Sequence, residues 1–132
     1  MVLSPIACKL QAALNLEVFF LLDQGYATPE QIDKAVKSGL GLRMPLLGIL
    51  RKADYTGLEL IQQLLTNKTY EPPQGLHRSQ TLDELIKIGR TGVMAGKGFF
   101  NYGGRPAEAL FRERDLKLLA LQKCLRQLGD LE

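Results

Sequence analysis

Apolar positions recur along most of this chain at the spacing of an α-helix. Ser4-Pro5 suits a cap followed by a first helical residue. Ile6, Leu10, Ala13, Leu14, Val18, Leu21 and Leu22 then carry the period to Gly25, predicting a first helix that stops there. Thr28-Pro29-Glu30-Gln31 has the form of a capping box. It opens a second helix with Ile32, Ala35 and Val36, which Gly39 and Gly41 end. Pro45 begins a third stretch through Leu46, Leu47, Leu50 and Ala53. Gly57 breaks or bends the chain before Leu58, Leu60, Ile61, Leu64 and Leu65 resume the period.

Pro72-Pro73 and Gly75 mark the stretch from Asn67 to Arg78 as an ordered loop. Thr81-Leu82-Asp83-Glu84 reads as another capping box, opening a short helix with Leu85, Ile86 and Ile88. Gly89 to Gly104 is too rich in glycine for a long helix, so Phe99, Phe100 and Tyr102 must find packing partners from a loop. The closing helix, within 103–132, is expected from about Pro106 to Leu128. Phe111, Leu118, Leu121, Leu125 and Leu128 form a narrow seam on it. No β alternation appears. The pattern predicts one all-α domain over 1–132, with five to six helices, one long glycine-rich loop and no internal repeat.

At 132 residues the chain is long enough for one hydrophobic core. Its 45% hydrophobic and 23% charged residues exclude a disordered chain. The net charge of +3 comes from basic and acidic residues that are interleaved, so it points to no nucleic-acid partner. Cys8 and Cys124 lie far apart without metal or redox spacing, as expected of a reduced, cytoplasmic protein. No apolar run approaches the length of a membrane span, and MVLSPIACK lacks the pattern of a secretory signal.

The same residues exclude several chemistries. A dinucleotide site needs a glycine turn between a strand and a helix, where backbone amides approach the pyrophosphate. Gly39-Leu40-Gly41 lacks the third glycine, and Gly92 to Gly98 has Lys97 without a following Ser or Thr; no strand leads into either. His77 is the only histidine and stands in the loop beside Arg78. A surface or capping role fits it better than that of a general base. It has no partners at metal-ligand spacing. Cys8 reads as a small half-buried helix residue, although Lys9 beside it would favour the thiolate. No catalytic, cofactor-binding or metal-ligating residue is assigned.

Lys9 to Gly48, KLQAALNLEVFFLLDQGYATPEQIDKAVKSGLGLRMPLLG, followed by ADYTGLEL from Ala53 to Leu60, resembles the start of the C-terminal domain of 3-hydroxyacyl-CoA dehydrogenases. That family's pattern there is roughly N-R-L-Q-x-A-L…E-A…G-x-A-(S/T)-P-E-D-I-D…G-x-G…G-P…D-x-x-G-L-D. Its closing pattern, G-x-x-x-G-x-G-F-(Y/F)-x-(Y/W), is similar to Gly92 through Tyr102. The resemblance covers about residues 4 to 102, with the motifs in the same order.

It implies the helical C-terminal domain of 6-phosphogluconate-dehydrogenase-like and 3-hydroxyacyl-CoA-dehydrogenase type. In the intact two-domain enzyme, a Rossmann domain binds NAD and supplies the catalytic His and Glu. The helical domain makes a homodimer and closes over the acyl-CoA. This chain would begin where the helical domain begins, with the Rossmann domain its partner in cis or trans. The resemblance places Cys8 near the acyl-CoA, and Lys9 and Arg43 at the substrate mouth or the dimer interface. The apolar surplus of the first and closing helices adds Phe19, Leu22, Leu118 and Leu125 to the expected dimer interface.

Three positions depart from the family pattern. Cys8 stands where Asn is usual, Ile49 where the G-P pattern has Pro, and Met94 where Lys is frequent. The Gly39-Leu-Gly41-Leu-Arg43 turn most resembles the branch of bacterial 3-hydroxybutyryl-CoA dehydrogenases and of the gulonate dehydrogenase and lambda-crystallin relatives. Two rival functions stand beside the dehydrogenase domain: a non-catalytic helical dimerisation protein, and a domain of a hydroxy-acid dehydrogenase.

Overall fold

The computed structural model describes residues 4–75 and 77–129. The described residues form seven α-helices: α1 (Pro5–Asp23), α2 (Pro29–Ser38), α3 (Leu40–Leu47), α4 (Leu50–Thr56), α5 (Leu58–Thr66), α6 (Gln80–Lys87) and α7 (Ala107–Leu128). A 3-10 turn, Val93–Ala95, lies in the glycine-rich segment. The only β pairings there are isolated, Gly92 with Lys97 and Lys97 with Asn101. The described residues are therefore all-α, with one helix more than the five to six expected, because the stretch read as one helix through Leu46, Leu47, Leu50 and Ala53 is two, α3 and α4. Residues 1–3, at the start of the segment read for a signal, and 130–132, at the end of the closing segment, lie outside the described residues, as does Leu76.

Most helix ends are where local chemistry puts them. At Gly25 (φ 68°), the amides of Gly25 and Tyr26 donate to the carbonyls of Leu22 and Leu21, the paired bonds of a Schellman stop. At α2 the capping box is complete. Thr28 Oγ1 accepts from the Gln31 amide at 3.2 Å, and Gln31 Oε1 accepts from the Thr28 amide at 2.9 Å. Gly57 (φ 102°) separates α4 from α5.

Two boundaries differ from the sequence reading. The third helix begins at Leu40, not at Pro45, and carries Pro45 inside it. Gly39 and Gly41 are needed for close approach rather than for a long turn. A Cβ at Gly39 would stand 2.9 Å from the Ala35 carbonyl oxygen, and one at Gly41 3.0 Å from that of Val36. The bare backbone lets α3 start directly on the end of α2. The second difference is at α6, where Ser79 is the cap and not Thr81. Ser79 Oγ accepts from the Leu82 amide at 3.3 Å.

Packing follows the chain in one part, α2 on α3, α3 on α4 and α4 on α5, while α1 packs on α6 and α7 on the 3-10 turn. Tyr70 holds the loop after α5 on α1 by donating its hydroxyl hydrogen to Glu17 Oε2 at 2.7 Å. The base of α7 is tied by Glu113, which accepts from Arg105 at 2.6 Å and from Lys117 at 2.7 Å. The bond from Lys117, then that from Arg105, lowers the Glu113 carboxyl to about 2.

α1 also corrects the reading that no segment approaches a membrane span. Its 19 residues are long and apolar enough, by length and composition, to cross a bilayer. Its first half is exposed, and its second half is half-buried beside α6, α2 and the aromatic loop.

No apolar side chain is fully buried among the described residues. The chain exposes 11143 Å², roughly 4,000 Å² more than a compact monomer of this mass would. Exposed apolar residues include stripes on three parts of the chain. On α1 these are Ile6, Leu10 and Leu14; on α3 to α5, Leu42, Leu50, Leu58 and Leu65; on α7, Leu116, Leu118, Leu119, Leu121 and Leu128. An obligate interface covers about 2,000–5,000 Å² in total, half on each side, so the bare area has room for more than one covering partner.

Candidate functional site

The best-formed part of the molecule is the meeting of α1, α2, α6 and the glycine-rich loop. Val18, Phe19 and Leu22 of α1 face Pro29 and Ile32 of α2 across a cleft of about 140 Å³ that Phe99 and Phe100 close. On the other side, Phe99, Phe100 and Tyr102 line a second cleft, of about 400 Å³, with Leu82, Leu85 and Ile86 of α6. The loop presents these rings because its own backbone is tied down. The Gly92 amide donates to the Lys97 carbonyl at 2.9 Å, Gly98 to Phe100 at 2.9 Å, and Tyr102 to Gly96 at 3.1 Å. Arg90 Nε adds a bond to the Gly98 carbonyl at 2.8 Å.

Asp23 clamps this assembly. Its Oδ1 accepts from Ser79 Oγ at 2.7 Å and from the Thr81 amide at 2.9 Å. Ser79 is 7% exposed and is the buried polar residue of the described chain. The carboxylate lies at the N-terminus of α6, where the helix dipole favours a negative charge. Burial pushes the Asp23 carboxyl up, but the bonds from Thr81 and Ser79 outweigh it and hold it below the ordinary value. The sequence reading missed this group. One signal was available: Asp23 ends α1, and an acid in a last helical turn opposes that helix's own dipole, so it needs a partner elsewhere.

The predicted site residues do not form one cluster. Cys8 and Lys9 lie exposed on the first half of α1, and Arg43 is exposed on α3. Phe19 and Leu22 are half-buried and turn toward the aromatic loop. Leu118 is exposed on α7, and Leu125 is half-buried. His77 borders a shallow cleft with Leu16, Phe19 and Arg78, in which Arg78 pairs with Asp83 at 2.6 Å. No three His, Cys, Asp or Glu side chains converge as metal ligands among the described residues.

The glycine loop does not fit a dinucleotide. The amides of Gly92, Ala95, Gly96 and Gly98 all donate to carbonyls of the loop itself, so they form no cradle for a pyrophosphate. This surface presents an apolar helix beside an ordered aromatic loop.

Residues 6–102 match the family described as 3-hydroxyacyl-CoA dehydrogenase, C-terminal domain. The chain belongs to this family. It is 28% identical over 120 residues to the 5-formyl-3-hydroxy-2-methylpyridine 4-carboxylate 5-dehydrogenase of Mesorhizobium japonicum, covering 86% of this chain and 37% of that protein. It is 33% identical over 89 residues to a 3-hydroxybutyryl-CoA dehydrogenase of Mycobacterium tuberculosis, covering 66% and 30%. A crystal structure of 5-formyl-3-hydroxy-2-methylpyridine 4-carboxylic acid 5-dehydrogenase, described as an NAD+-dependent dismutase, superposes with a TM-score of 0.79. That superposition has 24% identity and covers 89% of this chain and 38% of the other, and it shows the shared fold. The chain thus spans about a third of the relatives it matches. α7 lies wholly beyond the family match.

Proposed function

We propose that this chain is the substrate-covering and dimer-forming domain of an NAD-dependent 3-hydroxyacyl-CoA dehydrogenase, working in the cytoplasm. The enzyme would oxidise a 3-hydroxyacyl-CoA to the 3-ketoacyl-CoA, in fatty-acid metabolism. The observation that carries the reading is the match of residues 6–102 to the C-terminal domain of that family. The bare apolar faces support it, because a domain that covers a substrate and a second subunit must leave such faces open. NAD would be held by a Rossmann domain outside these 132 residues, in cis or in trans. Cys8 and Lys9 on α1, with Arg43 on α3, would border the acyl-CoA. The homodimer would draw on Leu118, Leu125 and Arg43, with Phe19 and Leu22 shaping α1 from behind.

Hydride transfer requires cofactor, carbinol and base within near-attack distance, and no such set occurs among the described residues. The chain alone is therefore expected neither to bind NAD nor to oxidise 3-hydroxybutyryl-CoA. Calorimetric titration showing micromolar NAD affinity would overturn that expectation. Joined behind the NAD-binding domain of a family member, it is expected to support NADH formation from 3-hydroxybutyryl-CoA. A second reading, oxidation of a small carboxylic acid such as a hydroxy acid in place of a thioester, is favoured by the pyridine-carboxylate relative, which is a carboxylate dehydrogenase by name and whose alignment is longer than the family match. Turnover of the acid and not of the thioester in the joined enzyme would select it.

Cys8 offers a finer test. A thiol lacks the amide's strong donor and acceptor, and Cys8 is exposed on α1. Cys8→Asn in the joined enzyme is expected to raise kcat/KM about tenfold, the scale of a hydrogen bond worth about 1–2 kcal/mol to a polar or charged group. Unchanged kinetics would remove the position from the substrate mouth.

A further inference from the structure

α7 leaves the aromatic loop through one tight turn, Tyr102 to Arg105, in which the Arg105 amide donates to the Tyr102 carbonyl at 3.2 Å. The two residues at its centre are Gly103 and Gly104, with φ of 63° and 74°. Glycine adopts a positive φ at both central positions of a turn without steric cost. Both flanks of this pair are tied. Before it, bonds from Gly92 to Lys97, Gly98 to Phe100 and Tyr102 to Gly96, with the Arg90 side chain on the Gly98 carbonyl, hold the loop as one body. After it, Arg105 donates to Glu113 Oε2 at 2.6 Å, and Lys117 donates to Oε1 of the same carboxylate at 2.7 Å. Pro106, with φ −60°, takes backbone freedom from the residue between. Arg105, Pro106 and the 22 residues of α7 therefore form a second body.

The second body is not fully seated on the first. Met94 of the 3-10 turn lines a groove of about 620 Å³ with Ala107, Phe111, Leu116 and Leu119 of α7. Met94 is 79% exposed, and Leu116 and Leu119 are exposed as well. A closed helix contact leaves few voids larger than a water molecule. Here an apolar gap separates two surfaces that belong to the two bodies joined by the glycine pair.

We infer that Arg105 and α7 form a rigid arm that turns on Gly103 and Gly104 and closes the groove onto Met94 of its own chain. Two residues absorb the rotation in their backbone dihedrals, and no hydrogen bond inside α7 has to break. The Arg105–Glu113–Lys117 cluster keeps the bend at the glycines, because it binds the residue after them to the second turn of the helix. Closure takes the Met94, Leu116 and Leu119 side chains from water, which favours the closed position. The motion needs neither the substrate nor the second subunit proposed above.

Two measurements on the full chain test this. In a background with Cys8→Ser and Cys124→Ser, Met94→Cys is combined with Leu116→Cys and oxidised mildly. A disulfide within one chain is expected, read as a faster single-chain band on a non-reducing gel. Met94→Cys with Leu128→Cys is expected to give none, because Leu128 lies about 18 Å further along the helix, beyond the reach of a disulfide. No bridge in the first pair, or bridges between chains only, would overturn closure. Gly103→Asn with Gly104→Asn keeps residues that tolerate positive φ but have less backbone freedom. It is expected to slow trapping at least threefold with helix content unchanged, and an unchanged rate would overturn the hinge. Amide exchange reads the hinge in the unsubstituted chain. The Tyr102, Arg105 and Leu110 amides are all hydrogen-bonded to backbone carbonyls. That of Arg105, which spans the glycine pair, is expected to exchange at least tenfold faster than the other two. Equal protection of the three would overturn the inference.

Discussion

Asp23→Ala is expected to lower the stability of the fold by about 3 kcal/mol, the largest polar effect available in the chain. The carboxylate receives two hydrogen bonds from a segment 56 to 58 residues away. Bonds to a charged group contribute about 1.5–3 kcal/mol each. Losing the acceptor also leaves Ser79 Oγ and the Thr81 amide without their partner at the least exposed polar position among the described residues. Urea unfolding at fixed protein concentration measures the effect, and fixed concentration matters because association adds to apparent stability.

The pH dependence adds a second reading of the same clamp. The Asp23 carboxyl is lowered in the folded chain relative to its value of 3.8. Its contribution is therefore complete above about pH 5 and is lost as pH falls through the lowered folded value. Asp23→Asn keeps an acceptor but not the charge. It is expected to lose about half as much as alanine at pH 7 and to flatten the slope below pH 4. A wild-type slope in Asp23→Asn would assign acid sensitivity to other carboxylates, such as Glu113.

Phe100→Ala is expected to cost about 2–3 kcal/mol, below the 3–5 of a fully buried phenylalanine, because the ring is half-buried. It lines a cleft with Asp33 and Lys37 of α2, a second with Phe19 and Leu22, and a third with Leu85 and Ile86 of α6. One truncation thus widens three clefts at once. Phe100→Leu, which refills most of the volume, is expected to recover more than half of the loss. A loss below about 0.5 kcal/mol for alanine, the scale of an ordinary surface change, would mean that the loop does not anchor the helices.

The helices were legible in the sequence because their causes are local. The Thr28 capping box, the Gly25 stop and the 3.6-residue period of α1, α5 and α7 depend on groups a few residues apart. The motif order was legible for a related reason: glycines, caps and aromatic positions keep their spacing when much of the remaining sequence differs. The candidate site was legible only in part. Cys8, Lys9 and Arg43 were named from resemblance and stand exposed on two helices, with no contact in the chain to set their roles.

Tertiary structure alone decided the rest. Thr81 satisfies the sequence rule for a cap, yet its amide is taken by Asp23 from the end of α1, so the capping role falls to Ser79. Gly39 and Gly41 look like a helix end until α3 is seen to start against the carbonyls of Ala35 and Val36. Phe19 and Leu22 are two apolar residues on a helix that is apolar nearly all round, and only the position of Phe99 and Phe100 makes that side the inner one. Local spacing fixes which residues share a helical face. It does not fix what covers the face, because burial depends on groups distant in the chain.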